Sequence, residues 1–154
     1  LRLRLGARGR RYLRVGALSA FLGLVLGYLT FLAIFPTVAV PVAGEPSLAA
    51  ILLGLIGGAL LSGFLSEDVF AITIQSFASL PVGVVATSAM VLSPVLTGMV
   101  QAQGDELVFF VLRFGFPIYL LAIPVNLLAG LVGLGVRERL APRFVSQTAR
   151  ERGD

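Results

Sequence analysis

Residues 114–136 read FGFPIYLLAIPVNLLAGLVGLGV: 23 consecutive residues without an acid or a base, closed on one side by Arg113 and on the other by Arg137. As a helix rising about 1.5 Å per residue, the stretch is roughly 34 Å long. A hydrocarbon core of about 30 Å takes roughly 20 helical residues to cross, so the run and its charged brackets fit one passage through a membrane. Working outward, the pattern recurs. Uncharged runs of 30 residues (Val15–Gly44), 21 residues (Pro46–Ser66) and 36 residues (Val69–Gly104) precede it, and only six residues between Val15 and Val136 are Asp, Glu or Arg. The sequence therefore predicts an all-α membrane protein, an antiparallel four-helix transmembrane bundle. Composition agrees, with 57% hydrophobic residues, 13% charged residues and a mean hydropathy of +0.97.

The charges that remain set an orientation. Arg2, Arg4, Arg8, Arg10, Arg11 and Arg14 precede the first apolar run, and Arg137, Arg139, Arg143, Arg150 and Arg152 follow the last. Cytoplasmic flanks accumulate Arg and Lys, so both termini are expected on the cytoplasmic side of a cell membrane, which requires an even number of crossings. The inner side then holds a net charge of +6 and the outer side −2, together the +4 of the chain. A basic start before an apolar run is also the form of a secretory signal. The run from Val15 to Phe35 outlasts the usual h-region of about 7–15 residues, however, and Val40-Pro41-Val42-Ala43 is a poor cleavage site, so a retained helix is expected.

Segment by segment, the reading is a basic segment at 1–14, a transmembrane domain at 15–136 and a basic tail at 137–154. Helix 1 covers 15–35 and stops before Pro36; Pro36–Ser47 is a short outer loop. Helix 2 covers 48–65, with Pro46 and Ser47 suited to its first turn. The third run exceeds one crossing, and Ser79-Leu80-Pro81 resembles a cap followed by a helix-starting proline. It divides into an interfacial segment at 67–80 and a crossing helix at 81–100; the alternative is one tilted helix kinked at proline. Helix 4 covers 114–136, with Arg113 reaching outer headgroups beside Asp105 and Glu106. Arg10, Arg11, Arg14, Arg137 and Arg139 are expected at inner, anionic headgroups.

Within the spans, small residues stand at intervals of four: Ala50, Gly54, Gly58 and Ser62 on helix 2; Ser19, Gly23 and Gly27 on helix 1; Ala89, Ser93 and Thr97 on helix 3. Residues four apart share a helix face, and small ones let a second backbone approach where lipid offers no hydrophobic drive. These ridges are read as helix contacts within the bundle, or as a surface for a further copy. Asn126, midway between Arg113 and Arg137, places an amide near the bilayer midplane, where it should hydrogen-bond across helices. Thr87, Ser88 and Tyr28 are the candidate partners at comparable depth.

With cysteine and histidine both absent, thiolate chemistry, Cys/His metal sites, haem-ligating histidine and Ser-His-Asp triads are excluded. No carboxylate lies inside a crossing segment, which argues against a proton or cation relay. Glu67 and Asp68, adjacent in a turn, read as solvated. No cofactor and no nucleic-acid partner are expected, and the basic N-terminus is accounted for by orientation. The leading expectation is a non-catalytic membrane scaffold or accessory subunit, not an enzyme, that packs against itself or partner helices and affects membrane shape. The alternative is a small oligomeric channel or passive transporter whose path uses Asn126, Thr87, Ser88, Ser93 and Thr97.

In topology the chain resembles a tetraspanin reduced to its membrane part: four helices, both ends inside, small residues facing one another, and the short inner turn Ser66-Glu67-Asp68 between helices 2 and 3. It departs from that family in having no cysteine for a Cys-Cys-Gly element, and in the brevity of Gln101–Glu106 where the family carries a large outer loop.

Overall fold

The computed structural model of the chain describes residues 7–35, 47–98 and 104–150, with side chains placed from Gly9 to Leu140 within those ranges. They form four helices: α1 (Ala7–Ile34), α2 (Leu48–Leu65), α3 (Val69–Leu96) and α4 (Gly104–Arg150). Each contains a stretch long and apolar enough to cross a membrane, so the chain is an all-helical, multi-pass membrane protein. The loop expected at 36–46, the last residues of the third crossing at 99–100, and the chain ends at 1–6 and 151–154 lie outside the described residues.

Local chemistry explains where the helices start and stop. Ser47 caps α2 by accepting the Ala50 N–H on its hydroxyl at 3.2 Å, and Asp68 caps α3 by accepting the Ala71 N–H on Oδ1 at 2.7 Å. Ser66 ends α2 in an extended conformation, its N–H donating to the Gly63 carbonyl at 3.0 Å. No break separates residues 67–80 from the crossing helix expected at Pro81, because α3 runs unbroken through Pro81 and Pro94. A proline inside a helix leaves the carbonyl four residues earlier without its usual donor. At Pro94 that carbonyl belongs to Met90, and the Ser93 hydroxyl donates to it at 2.8 Å.

Helix α4 begins ten residues before Phe114, the start expected from the sequence. Asp105 and Glu106 occupy its first turn, where negative charge suits the positive end of the helix dipole. The apolar run after them continues the helix past Arg113. Its 47 residues make about 70 Å of helix, more than twice a bilayer core.

The most extensive pairings are α1 with α3 and α2 with α4. Two apolar layers hold the interior: Leu26, Leu55, Tyr119 and Ala122 in one, and Leu22, Ala59 and Ala129 in the other. The large apolar side chains face outward, among them Leu53, Phe70, Val85, Phe116 and Leu128, each more than three-fifths exposed. In lipid this distribution is favourable, since lipid tails solvate a leucine as well as a protein core does. What the interior gains instead is dispersion between closely set backbones.

Two close crossings supply it. At the first, a Cβ added at Gly23 would stand 2.4 Å from Val82 Cβ, and one at Gly27 would stand 2.7 Å from Ala86 Cβ. At the second, an added Cβ at Gly63 would meet the Gly130 carbonyl oxygen at 2.0 Å, and one at Gly133 the Leu60 carbonyl oxygen at 2.2 Å. Gly54 and Gly58 lie more loosely against Leu29 and Val25 of α1.

Candidate functional site

Three regions carry the polar chemistry of the chain. The first is the turn between α2 and α3, where each of three residues is engaged by another helix. Glu67 Oε1 accepts from Arg14 Nη1 at 3.0 Å, Asp68 Oδ2 accepts from Arg11, and the Ser66 carbonyl accepts from Arg137. Asp68 thus caps α3 with one oxygen and holds Arg11 with the other. The four side chains of the two ion pairs are nearly half exposed, so each pair is worth roughly 1 kcal/mol or less. Their effect is positional: they place the start of α1 beside the three-residue turn, as the bond from Arg137 to the Ser66 carbonyl does for α4. Sequence reasoning read Glu67 and Asp68 as solvated and missed the pairing. The signal was Arg11 and Arg14, three apart and so on one helix face, matching two adjacent acids.

The second region is a column of buried polar groups. At its charged end, Gln75 Oε1 lies 3.0 Å from Ser62 Oγ and 2.9 Å from Ser66 Oγ, both hydroxyls donating to it. The Ser66 hydroxyl also reaches the Ser62 carbonyl at 2.8 Å, sharing its one proton. A small void of about 10 Å³, room for about one water, is lined by Arg11, Arg14, Ser66, Glu67 and Gln75 among others. Further along α3, Ser76 and Ser79 donate to their own helix, to the carbonyls of Ile72 and Ser76. At the far end, the Tyr119 hydroxyl donates to Thr87 Oγ1 at 2.8 Å, and Thr87 in turn reaches the Gly27 carbonyl at 3.0 Å and the Gly83 carbonyl at 2.9 Å. That node joins α1, α3 and α4.

Asn126 occupies the middle of the column. It stands on α4 between Tyr119, which reaches Thr87, and Gly130, which adjoins Ile72, and so at the depth of Ser76 and Ser79. It is 2% exposed, and neither its amide oxygen nor its amide nitrogen has a partner among the described residues. Gln75 Nε2 and Thr30 Oγ1 are likewise buried without a partner. Of the partners expected for Asn126, Thr87 is committed to Tyr119 and two carbonyls, Ser88 is half-buried, and Tyr28 is 49% exposed on the outside of α1. The structure therefore brings none of them to the amide.

The third region is the surface. Of the three small-residue ridges, Ser19, Gly23 and Gly27 are buried, and Gly23 and Gly27 meet α3; Gly54 and Gly58 meet α1, and Ser62 joins the Gln75 cluster, while Ala50 is exposed. Ala89, Ser93 and Thr97 all face outward. The tightest crossing uses Gly63, Gly130 and Gly133, which sequence reasoning did not single out. Arg113 is exposed, its guanidinium 5.9 Å from the Phe114 ring centroid, while Arg10 and Arg139 are exposed without a hydrogen bond among the described residues. A run of tilted aromatic rings, Phe31, Phe35, Phe110 and Phe114, joins the end of α1 to the start of α4, the last two centroids 4.3 Å apart. Compared with protein-family models, with curated proteins and with solved structures, the chain matches none.

Proposed function

We propose that the chain is a non-catalytic scaffold or accessory subunit of a cell membrane, which associates with a second copy or with partner helices through the outer face of α3. The observation that carries this reading is the exposure of Ala89, Ser93 and Thr97. The other ridges are used to join the chain's own helices, and this one has no neighbour among the described residues. In this arrangement successive helices run antiparallel and both ends face the cytoplasm, with headgroups meeting Arg10, Arg11, Arg14, Arg137 and Arg139 on one side and Arg113 on the other. Contact registers support it: Arg11 with Asp68 and Gly27 with Ala86 advance together along α1 and α3, while Tyr119 with Thr87 and Gly130 with Ile72 advance oppositely along α4 and α3.

The test is association in lipid. Singly labelled protein, reconstituted at low density, is expected to show energy transfer between copies or to copurify with a partner, and Ala89→Phe is expected to reduce either one. A protein that stays monomeric in lipid, brings no partner through purification and leaves vesicle shape unchanged refutes the reading.

A second reading, a passive path for a small polar solute in an oligomer, is favoured by the unpartnered amide of Asn126 and by Gln75 Nε2 and Thr30 Oγ1 in the same column. The path first expected along α3 divides, because Thr87 is buried whereas Ser93 and Thr97 face outward. An interior route runs instead by Gln75, Asn126 and Thr87. Asn126→Leu abolishes solute flux into proteoliposomes on this reading; unchanged flux removes it.

A further inference from the structure

An open groove of about 460 Å³ lies between the first turns of α1 and α3, lined by Arg11, Tyr12, Val15, Phe70, Ala71 and Ile74. Its volume falls within the roughly 300–1,000 Å³ usual for small-molecule sites. The two walls change character together. On α1 the order is Arg11 and Tyr12, then Val15; on α3 it is Phe70 and Ala71, then Ile74. With Arg11 level with Asp68, one end of the groove carries the Arg11 cation beside the Tyr12 and Phe70 rings, and the other end is aliphatic, with Val15 and Ile74.

Arg11 is not a loose surface charge. One of its terminal nitrogens is held by Asp68 Oδ2, whose other oxygen is fixed as the cap of α3. Its remaining guanidinium N–H groups make no hydrogen bond among the described residues. A planar guanidinium held in this way presents a fork of donors suited to phosphate oxygens. The described charged side chains of this end of the bundle are Arg10, Arg11, Arg14, Arg137 and Arg139 with Glu67, Asp68 and Glu138, five positive against three negative, and among them Arg11 pairs with Asp68 and Arg14 with Glu67.

We propose that this groove is a specific site for an acidic phospholipid, its phosphate on Arg11, its glycerol region beside Tyr12 and Phe70, and its first acyl methylenes against Val15 and Ile74. The proposal rests on the reading that this end of the bundle lies at a headgroup layer; it is independent of association through α3. A zwitterionic lipid fits the same apolar walls but brings a second cation to a positive cluster. The acidic lipid is the one that the charges favour.

The chain has no tryptophan, so Phe70→Trp places a single fluorophore on the groove wall and Leu128→Trp, in a separate protein, places one on the outer face of α4. Each full-length variant is reconstituted in nanodiscs of phosphatidylcholine containing, at equal mole fraction, either acyl-brominated phosphatidylglycerol or acyl-brominated phosphatidylcholine as quencher. At position 70 phosphatidylglycerol is expected to quench with about five-fold higher apparent affinity, the factor for one basic residue near the surface. At position 128 the two lipids are expected to quench alike. Adding Arg11→Gln to Phe70→Trp is expected to erase the preference, whereas Arg10→Gln leaves most of it.

Equal quenching by both lipids at position 70, an equal preference at position 128, or a preference that survives Arg11→Gln each overturns the site. Quenching at 128 with none at 70 means that another part of the chain or a second copy covers the groove, and overturns it too. If neither position is quenched, the membrane placement itself has failed, an outcome distinct from failure of the site.

Discussion

The tightest crossing in the bundle yields the sharpest prediction, for Gly63→Ala. The new methyl would stand 2.0 Å from the Gly130 carbonyl oxygen and 2.6 Å from its carbonyl carbon and Cα. Those atoms are backbone, so no rotamer change relieves the overlap. Restoring an ordinary contact of 3.4 Å needs a local separation of α2 from α4 of 1.4 Å, the difference between 3.4 and 2.0. A radial gap of about 0.5–1 Å already forfeits a quarter to a half of a dispersion contact, and neighbouring contacts through Ala59, Leu60 and Gly133 open with it. Overpacking typically costs about 1–3 kcal/mol. The rigid obstacle and the loosened neighbours put this case at the upper end, about 3 kcal/mol, or about two powers of ten in the folding equilibrium. The assay is reversible unfolding in mixed micelles titrated with a denaturing detergent, followed by helicity and by energy transfer between labels on α2 and α4. Gly57→Ala is the control, because nothing lies within 4 Å of a Cβ there. A Gly63→Ala protein as stable as the parent, or a Gly57→Ala protein equally weakened, refutes the backbone-contact reasoning.

Other substitutions probe the remaining regions. Gly133→Ala, which meets Leu60 O at 2.2 Å, is expected to lose a similar amount in the same titration, and the double variant Gly63→Ala/Gly133→Ala less than the sum, since both part the same helix pair. Thr87→Val keeps the shape but removes the 2.8 Å acceptor of the buried Tyr119 hydroxyl, so a loss of about 1 kcal/mol is expected; a neutral result means that the Tyr119–Thr87 bond adds no stability. Asp68→Asn keeps an N-cap acceptor and loses the ion pair, whereas Asp68→Ala loses both, so the alanine variant should be the weaker by about 1 kcal/mol. Equal stabilities would assign the whole effect of Asp68 to charge. Asn126→Leu removes two polar atoms that have no partner among the described residues, and the unfolding midpoint is expected to hold or rise. A loss beyond about 1 kcal/mol would mean the amide is satisfied by bonds that leucine cannot replace.

The four-helix character of the chain was open to sequence reasoning because charge in lipid is so unfavourable that its absence over 20 or more residues is informative by itself. Helix limits were less accessible. Pro81 suggested a boundary, yet α3 passes through it; transmembrane helices tolerate proline where packing against neighbouring helices compensates, and the local sequence does not reveal that packing. Packing was half legible. The ridge at Gly23 and Gly27 pointed to a close crossing, but the same spacing at Ala89, Ser93 and Thr97 faces outward, because the spacing marks a face without saying what lies opposite.

The inward face of α4 was present in the sequence in another form. Gly115, Tyr119, Ala122, Asn126, Ala129 and Gly133 alternate spacings of four and three, the period of a helix that keeps one seam toward its neighbours. In a soluble helix that seam would be marked by large apolar residues. Here it is marked by small and polar ones, so a search for hydrophobic stripes passes over it. The Gln75 cluster was hidden for a different reason: Ser62, Ser66 and Gln75 meet only after the chain has turned back through Glu67 and Asp68.

The hydroxyl that Ser93 lends to the Met90 carbonyl bears on how firmly any neighbour is held at the outer face of α3. Because the gap left by Pro94 is mended from within, that stretch has no unmet valence obliging a second chain to stay. Lipid tails can occupy the face as comfortably as a helix can. On the proposed reading, a companion seated there would be retained by shape alone, and so would come and go with its own abundance, as a removable fitting and not as a structural member.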